Sequence, residues 1–164
     1  SLVIRPIQEE DNKPLNALIK ATVLEFGCSH SEYLSNEEEL DNLFERFSQE
    51  NSHYWVIEDT DSKTVLGGGG YTRLVGTSTT DAICELQKMY FAPTCRGQGF
   101  GKTLMEKMLS AAKSDGYNTI YIETIPEMIQ AINLYKRYGF KEIPNRLGHT
   151  GHNSCSVYMT ASVN

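Results

Sequence analysis

Apolar residues at helical spacing predict four helices in the chain. The four segments begin near Asn12, Ser35, Lys102 and Pro126. The first carries an apolar stripe that runs from Leu15 to Val23 and ends near Gly27. The second opens with Ser35-Asn36-Glu37-Glu38, which has the form of a capping box. The other two cover residues 102–114 and 126–138, and Gly139 ends the last one.

Shorter apolar runs between these helices predict seven strands. They lie at residues 3–7, 54–58, 64–74, 82–91, 119–124, 140–143 and 154–159. Pro6 cannot donate to a central ladder, so the first strand is expected at an edge. The four glycines from Gly67 to Gly70 indicate a bulge or a close backbone approach, or else a flexible stretch.

The order of elements is β-α-α-β-β-β-α-β-α-β-β. Hairpins dominate the first half and a βαβ crossover occupies the middle, which predicts an α/β (α+β) fold with a mixed sheet and helices on both faces. No repeat, linker or low-complexity segment interrupts the 164 residues. A single domain spanning residues 1–164 is therefore expected.

Composition narrows the classes of partner. The net charge of -6 argues against nucleic-acid binding and suits a cationic acceptor. No apolar run has membrane-spanning length and no signal segment opens the chain, so we expect no membrane partner and a cytoplasmic location. The four cysteines lack C-x-x-C spacing and are expected to be reduced thiols. His149 and His152 have no Cys or carboxylate ligand set nearby in the sequence, so a polar loop is preferred and no metal is predicted.

The run Cys95-Arg96-Gly97-Gln98-Gly99-Phe100-Gly101-Lys102 links a predicted strand to a predicted helix. Glycines let the backbone approach a ligand, and a helix N-terminus offers unpaired N–H groups and a positive dipole end. Such a turn suits an anion, above all a pyrophosphate. The spacing fits neither a Walker loop nor a dinucleotide fingerprint, because Arg96, Lys102 and Leu104 stand where glycines are needed. A glycine-rich turn without a ligand is the alternative.

The pattern Arg96-x-x-Gly99-x-Gly101 resembles motif A of the GNAT superfamily of acyl-CoA-dependent N-acyltransferases. Two more segments resemble this family in the same order: residues 85–91 its fourth strand, and residues 131–140 its A-x-x-L-Y-x-x-x-G-F segment. The resemblance covers roughly residues 82–140. It implies a GNAT-like, mostly antiparallel twisted sheet of about seven strands with a splayed central pair. It also implies acetyl-CoA as co-substrate and direct acetyl transfer to a primary amine in a ternary complex.

The resemblance carries cofactor-binding roles onto two segments. The backbone of Met89, Tyr90 and Phe91 would bind the pantetheine arm as an added strand, and the N–H of Met89 would polarise the thioester carbonyl. The pyrophosphate would bind at the residues of the glycine turn, which are Arg96, Gly97, Gln98, Gly99, Phe100, Gly101 and Lys102.

The same resemblance implies the catalytic groups. Tyr135 is expected to protonate the CoA thiolate, with a plain core tyrosine as the alternative. Glu85, eleven residues before Arg96, is the general-base candidate, although many relatives keep a polar residue there without catalytic duty. Glu123 on the facing strand is the reserve. Many relatives carry Asn where this chain has Met128, so no hydrogen bond to the cofactor is expected from that position.

Three functions fit these observations. The leading one is an N-acetyltransferase whose acceptor is a small-molecule or peptide amine. The alternatives are a module that binds acyl-CoA without turnover and a transferase of another acyl group. The sequence does not identify the amine, and the resemblance is compatible with a homodimer.

Overall fold

The computed structural model describes residues 1–26, 41–152 and 155–164. Its strands are β1 (Leu2–Pro6), β2 (His53–Asp59), β3 (Thr64–Arg73), β4 (Ile83–Phe91), β5 (Thr119–Thr124), β6 (Lys141–Ile143) and β7 (Val157–Ser162). They form one sheet in the order β1-β2-β3-β4-β5-β7-β6, with β1 at an edge as Pro6 predicts. Only the β4–β5 pair among these is parallel. The predicted mixed, mostly antiparallel sheet of about seven strands is therefore confirmed.

Four α-helices lie in the described part of the chain. They are α1 (Asn12–Glu25), α2 (Leu43–Phe47), α3 (Phe100–Ser114) and α4 (Ile129–Arg137). The predicted capping box at residues 35–38 lies outside the described residues. Helix α4 begins at Ile129 rather than at Pro126, because the Met128 N–H donates to the Ile125 carbonyl and closes a turn with Pro126 in its second position. The last strand lies at Val157–Ser162, three residues later than predicted.

The sheet separates two hydrophobic clusters. Alternate side chains of β2 point to opposite faces, so Trp55 joins one cluster and Tyr54 the other. Leu15 of α1 and Phe47 of α2 pack on the Tyr54 face, while α3 and α4 supply residues such as Met105 to the Trp55 face. The prediction of helices on both faces is confirmed.

The four glycines form the middle of β3, where neighbouring groups leave no room for side chains. A Cβ on Gly68 would lie 2.5 Å from the Tyr54 ring, and a Cβ on Gly70 would lie 2.1 Å from the His53 carbonyl oxygen. The close-approach interpretation of the glycine run is therefore confirmed, and the flexible-stretch alternative is not.

Strands β4 and β5 separate part-way along their length. Their parallel ladder ends at the Glu85–Tyr121 pair, although both strands continue. Beyond that point β4 carries a bulge, because Lys88 and Met89 together oppose the single residue Gly69. Lys88 has a φ of 54°, in the left-handed region. The predicted splayed central pair is confirmed.

No helix in the described ranges combines the length and the hydropathy that a bilayer crossing requires.

Candidate active site

Two cavities meet where β4 and β5 separate. The first, which we call the large cleft, has a volume of about 300 Å³ and lies between the glycine turn, the end of β4 and α4. The second, the small cavity, measures about 50 Å³ and lies between β4, β5 and the segment after β6. Both are lined by Met89, Tyr90, Met128 and Tyr135. These four residues form the boundary between the two cavities.

The glycine turn leaves open space in the large cleft. Gly97 and Gly99 have φ values of 72° and 84°, which side-chain-bearing residues rarely adopt. A Cβ on either residue would meet nothing within 4 Å, so the backbone conformation alone requires glycine there. Gly99 is the N-cap of α3, whose first N–H groups have no partner within the helix. The turn can therefore present backbone N–H groups to an anion.

The side chain of Arg96 is engaged in holding the turn. Its Nε and Nη2 donate to the Phe91 carbonyl at 2.9 and 2.8 Å. Its Nη2 also donates to Glu25 at 2.8 Å, and this pairing lowers the pKa of the Glu25 carboxyl. The guanidinium lies 5.6 Å from the centre of the Phe26 ring. Arg96 thus joins α1 to the end of β4, and the residue also lines the cleft. Its own N–H donates to the Pro93 carbonyl at 3.3 Å.

The remaining residues of the turn take different positions. Phe100 lines the large cleft and packs against the Trp55-face cluster. Gln98 donates from its side chain to the Thr94 carbonyl at 3.0 Å. Lys102 is exposed in the first turn of α3. The binding of the cofactor by these residues therefore stays a prediction.

The bulge in β4 is held by a buried tyrosine. Tyr54 is 2 % exposed, and its hydroxyl donates to the Lys88 carbonyl at 2.7 Å. Its ring lies over Gly68, where a side chain would block it. The bulge thereby sets the course of Met89 and Phe91 along the large cleft.

Glu85 is a buried carboxyl in the small cavity. It is 2 % exposed, and the amide of Gln87 donates to its Oε1. Arg46 of α2 in turn donates to the Gln87 Oε1 at 2.9 Å. Burial raises the pKa of Glu85 to about 7, although the charge of His152 and the hydrogen bond from Gln87 act in the opposite direction. A carboxyl in this state can accept or release a proton near neutral pH.

Glu123 lies in the same cavity but has a different electrostatic environment. Thr150 and Tyr121 each donate a hydroxyl to it at 2.6 Å, and the Arg146 Nε lies 3.3 Å from its Oε2. Burial acts to raise the pKa of Glu123, but the nearby His152 and the hydrogen bonds from Thr150 and Tyr121 outweigh burial and lower it. Glu123 therefore loses its proton at a lower pH than Glu85 does.

His152 lies between the two carboxyl groups. Its Nδ1 is 3.6 Å from Glu85 Oε2 and 3.6 Å from Glu123 Oε1. The donor atoms of the three residues lie within 4.8 Å of one another, which is close enough for an ion. Both oxygens of Glu123 already accept hydrogen bonds, however, and the Arg146 guanidinium beside them would repel a cation. The donor set suits the handling of a proton better than that of a metal.

The structure brings some of the predicted site residues together and adds others. Tyr135 is buried at the boundary of the two cavities, with its ring 5.4 Å from that of Phe140. Glu85 and the reserve candidate Glu123 face the same cavity. His152 was weighed in the sequence only with His149, whose ring instead lies against Gly76. Arg46 was not identified at all, since its role depends on α2 packing beside β4.

Comparison with known proteins agrees with this geometry. Residues 16–140 match the model of the acetyltransferase (GNAT) family. The N-acetyltransferase YjgM of Escherichia coli K12, itself described as uncharacterized, is 38% identical over 160 residues, covering 97% of this chain and 93% of that protein.

Solved structures share the fold at lower identity. A GNAT acetyltransferase of Staphylococcus aureus Mu50 superposes with a TM-score of 0.84 at 19% identity, covering 100% of both chains. The acetyltransferase yncA of Salmonella typhimurium, solved with its cofactor acetyl-CoA, gives a TM-score of 0.75 at 15% identity and covers 99% of this chain and 94% of that one. The family match over most of the chain and the relative in Escherichia coli together decide the assignment. The chain belongs to the acetyltransferase (GNAT) family of enzymes.

Proposed function

We propose that the protein transfers an acetyl group from acetyl-CoA to a primary amine by direct attack in a ternary complex. The observation that carries this proposal is the meeting of the two cavities at Tyr135, with an anion-binding turn on one side and the buried Glu85 on the other. A single domain spanning residues 1–164 would hold both substrates.

Acetyl-CoA would occupy the large cleft. Its pyrophosphate would accept hydrogen bonds from the backbone N–H groups of residues 97–102, above the open space at Gly97 and Gly99. The pantetheine amides would pair with the backbone of Met89, Tyr90 and Phe91, where β4 has left β5. The acetyl-CoA bound to the Salmonella protein of the same fold supports this choice of co-substrate.

The thioester would then lie at the boundary of the two cavities. The N–H of Met89, next to the bulge, would donate to the carbonyl oxygen as negative charge develops on it. Tyr135 would give its hydroxyl proton to the departing CoA sulfur. The burial of Tyr135 excludes water from that proton transfer.

The amine would enter through the small cavity, where Glu85 would remove its proton. With a pKa of about 7, Glu85 has a basicity matched to neutral pH. The acceptor would be a small-molecule or peptide amine, since the net charge of -6 favours a cation and disfavours nucleic acid.

We also propose a cytoplasmic location without a membrane partner, and a homodimer as a compatible assembly. The buried free thiols of Cys84, Cys95 and Cys155 are consistent with a reducing compartment.

The experiment is a set of amines tested with acetyl-CoA, with free thiol release as the readout. Spermidine, L-lysine, L-phenylalanine, 2-phenylethylamine and a short peptide with a free N-terminus cover the classes of acceptor. We expect turnover with at least one, and a loss of kcat of about 10²–10⁴-fold in Tyr135→Phe. Tyr138→Phe is the matched control, because the Tyr138 hydroxyl contacts Glu106 at 3.1 Å and lines neither cavity.

Calorimetry with CoA separates the other outcomes. Binding of CoA without transfer to any amine would indicate a binding module. Absence of CoA binding by folded protein would overturn the proposal.

A further inference from the structure

We propose that Arg46 and Gln87 are positioning residues for Glu85. Arg46 fixes the orientation of the Gln87 amide, and this amide occupies one oxygen of Glu85 and leaves the other to take the proton of the acceptor amine. The inference rests on the proposed function, in which Glu85 is the base. It adds two residues to the site that act through Glu85.

The alternation of β4 brings Glu85 and Gln87 to one place. Residues two apart in a strand lie on the same face of the sheet, and both residues precede the bulge. Their side chains therefore face α2, whose apolar residues pack on that side of the sheet. Arg46 belongs to the same short helix, and its Nε donates to the Gln87 Oε1 at 2.9 Å.

The donor and acceptor groups leave one favourable orientation for the Gln87 amide. A guanidinium has only donors, so the amide oxygen has to face Arg46. The amide nitrogen then points the other way and donates to the Glu85 Oε1. A reversed amide would place its N–H groups against the guanidinium and its oxygen against the carboxylate. Gln87 is 4 % exposed, and mispairing is costly in such a buried environment.

This arrangement makes the two oxygens of Glu85 unequal. Oε1 accepts from Gln87, whereas Oε2 faces the His152 Nδ1 at 3.6 Å, which is too long for a direct hydrogen bond. Both Glu85 and His152 line the small cavity. In the proposed reaction, the ammonium of the acceptor gives a proton to Oε2 and becomes the neutral amine that attacks the thioester. The Gln87 N–H favours the ionised base, because it donates to the carboxylate.

Arg46 also acts through its charge. It is half-buried and lines an outer groove of about 490 Å³ between the end of α2, the end of β3 and the end of α3. Burial raises the pKa of Glu85 to about 7, and the charge of His152, the hydrogen bond from Gln87 and the charge of Arg46 act in the opposite direction. The pair therefore keeps part of Glu85 ionised at neutral pH.

Other charged or titratable groups face Glu85 from the neighbouring elements. Glu123 of β5 disfavours the ionised form, whereas His152 from the segment after β6 favours it. Burial raises the pKa of the Cys155 thiol to about 12, so this group stays neutral. Further titratable groups around the cavity in the described part of the chain are Tyr121, Lys88, Tyr135 and Arg146, which lies beside Glu123. The substitutions below leave all of these groups in place.

The first test follows the carboxyl of Glu85 and needs no acceptor. Its titration midpoint is measured by NMR in the wild type, Gln87→Met and Arg46→Met. Each substitution should raise the midpoint by about one pH unit. Gln87→Met removes the donor, and Arg46→Met removes a positive charge and lets the amide turn over. A midpoint that is unchanged in both variants would overturn the inference.

Two further variants make this test specific. Arg46→Lys keeps a cation that can only donate, so it should recover most of the shift seen in Arg46→Met. Arg73→Met is the matched control, because it removes an exposed arginine that lines the same outer groove. A shift in Arg73→Met as large as that in Arg46→Met would mean that any nearby positive charge suffices, and it would overturn the role of the amide orientation.

The second test uses the pH dependence of turnover. In Gln87→Met, kcat/KM for the best amine of the panel should fall roughly fivefold at pH 7, because about a tenth of Glu85 rather than half is then ionised. At pH 9 the base is ionised in both proteins, so kcat/KM should return to within about twofold of the wild type. Glu85→Gln should stay low at both pH values. An equal loss in Gln87→Met at pH 7 and pH 9 would indicate a purely structural role and overturn the inference.

The two failures can be told apart. If the wild-type protein acetylates no amine, the proposed function fails and the positioning role fails with it. If the wild type is active but neither the Glu85 titration nor the pH profile responds to the substitutions, the positioning role alone fails.

Discussion

The large cleft and the small cavity adjoin each other but are built from different kinds of group. The cleft is shaped by backbone: a turn with two left-handed glycines, a helix N-terminus and a strand freed from its neighbour. The cavity is shaped by buried charged and polar side chains from β4, β5, α2 and the segment after β6. We infer that the cleft determines binding of the cofactor, whereas the cavity determines proton transfer. Substitutions should therefore separate the two functions.

The largest expected effect is on activity, in Glu85→Gln. If Glu85 is the base, as proposed, this substitution should lower kcat/KM for the amine by about 10²–10⁴-fold and leave the KM for acetyl-CoA nearly unchanged. In the wild type, kcat/KM should rise with pH through about 7 as Glu85 ionises. Steady-state kinetics over a range of pH measures both effects, with the exposed Glu142→Gln variant as the control. A parallel loss of acetyl-CoA affinity would show that the two cavities are not independent.

The same substitution should make the protein more stable at alkaline pH. Burial keeps Glu85 protonated in the folded state up to about pH 7, whereas the unfolded chain releases this proton near 4.5. The folded state thus binds more protons in that window, so the free energy of unfolding falls as pH rises, by up to about 3 kcal/mol. The Glu85→Gln variant has no carboxyl to ionise at this position, so its free energy of unfolding should not fall in this way as pH rises. Urea unfolding at pH 4.5 and pH 8 should show its advantage only at pH 8, and equal differences at both values would refute the assignment.

A third prediction concerns the cleft and compares two glycines. Gly99→Ala and Gly116→Ala both place a side chain at a positive φ, 84° and 93°, with no atom within 4 Å of the new Cβ. Each should cost about 1–2 kcal/mol of stability. Only Gly99→Ala should also weaken CoA binding, roughly tenfold, because only Gly99 lines the cleft. Calorimetric titration with CoA measures the affinity of both variants. Equal affinities would exclude the turn as the anion site.

The smallest expected effect is on the bulge. Tyr54→Phe and Tyr117→Phe each remove a hydroxyl that donates to a backbone carbonyl, of Lys88 and Asn51 respectively. Each should cost about 1 kcal/mol of stability. Only Tyr54→Phe should also lower kcat, by a few-fold, because in the proposed mechanism the bulge directs the Met89 N–H to the thioester. Identical kinetics in the two variants would show that the Lys88 hydrogen bond does not position the site.

The sequence predicts the cleft better than the cavity for a physical reason. The glycine turn and α3 are contiguous, so the local pattern of residues 95–114 already specifies them. Glu85 could be proposed because the family resemblance places a candidate base eleven residues before Arg96, and Glu123 because it lies on the facing strand.

The contacts of His152 could not be predicted from the local sequence pattern. It lies in an irregular segment between β6 and β7, and its position depends on how that segment crosses the sheet. The glycine run was predictive only in part. It indicated a bulge or a close approach. The structure has the close approach at Gly68 and Gly70, one bulge directly before the run at Leu66, where β3 pairs with β2, and another on β4 opposite Gly69.

The bulge adds one residue to β4, and this reverses which face of the sheet the odd-numbered and even-numbered side chains point to. Before it, odd-numbered Glu85 faces the small cavity and even-numbered Leu86 faces the Trp55 cluster. After it the parity is reversed: Tyr90 packs with α1, while Met89 and Phe91 pack on the Trp55 side. Deleting one residue at this point would exchange the two walls, turning Tyr90 into the apolar core beneath α3. A single extra residue thus lets one strand place a carboxyl group in the small cavity at its beginning and line the large cleft at its end.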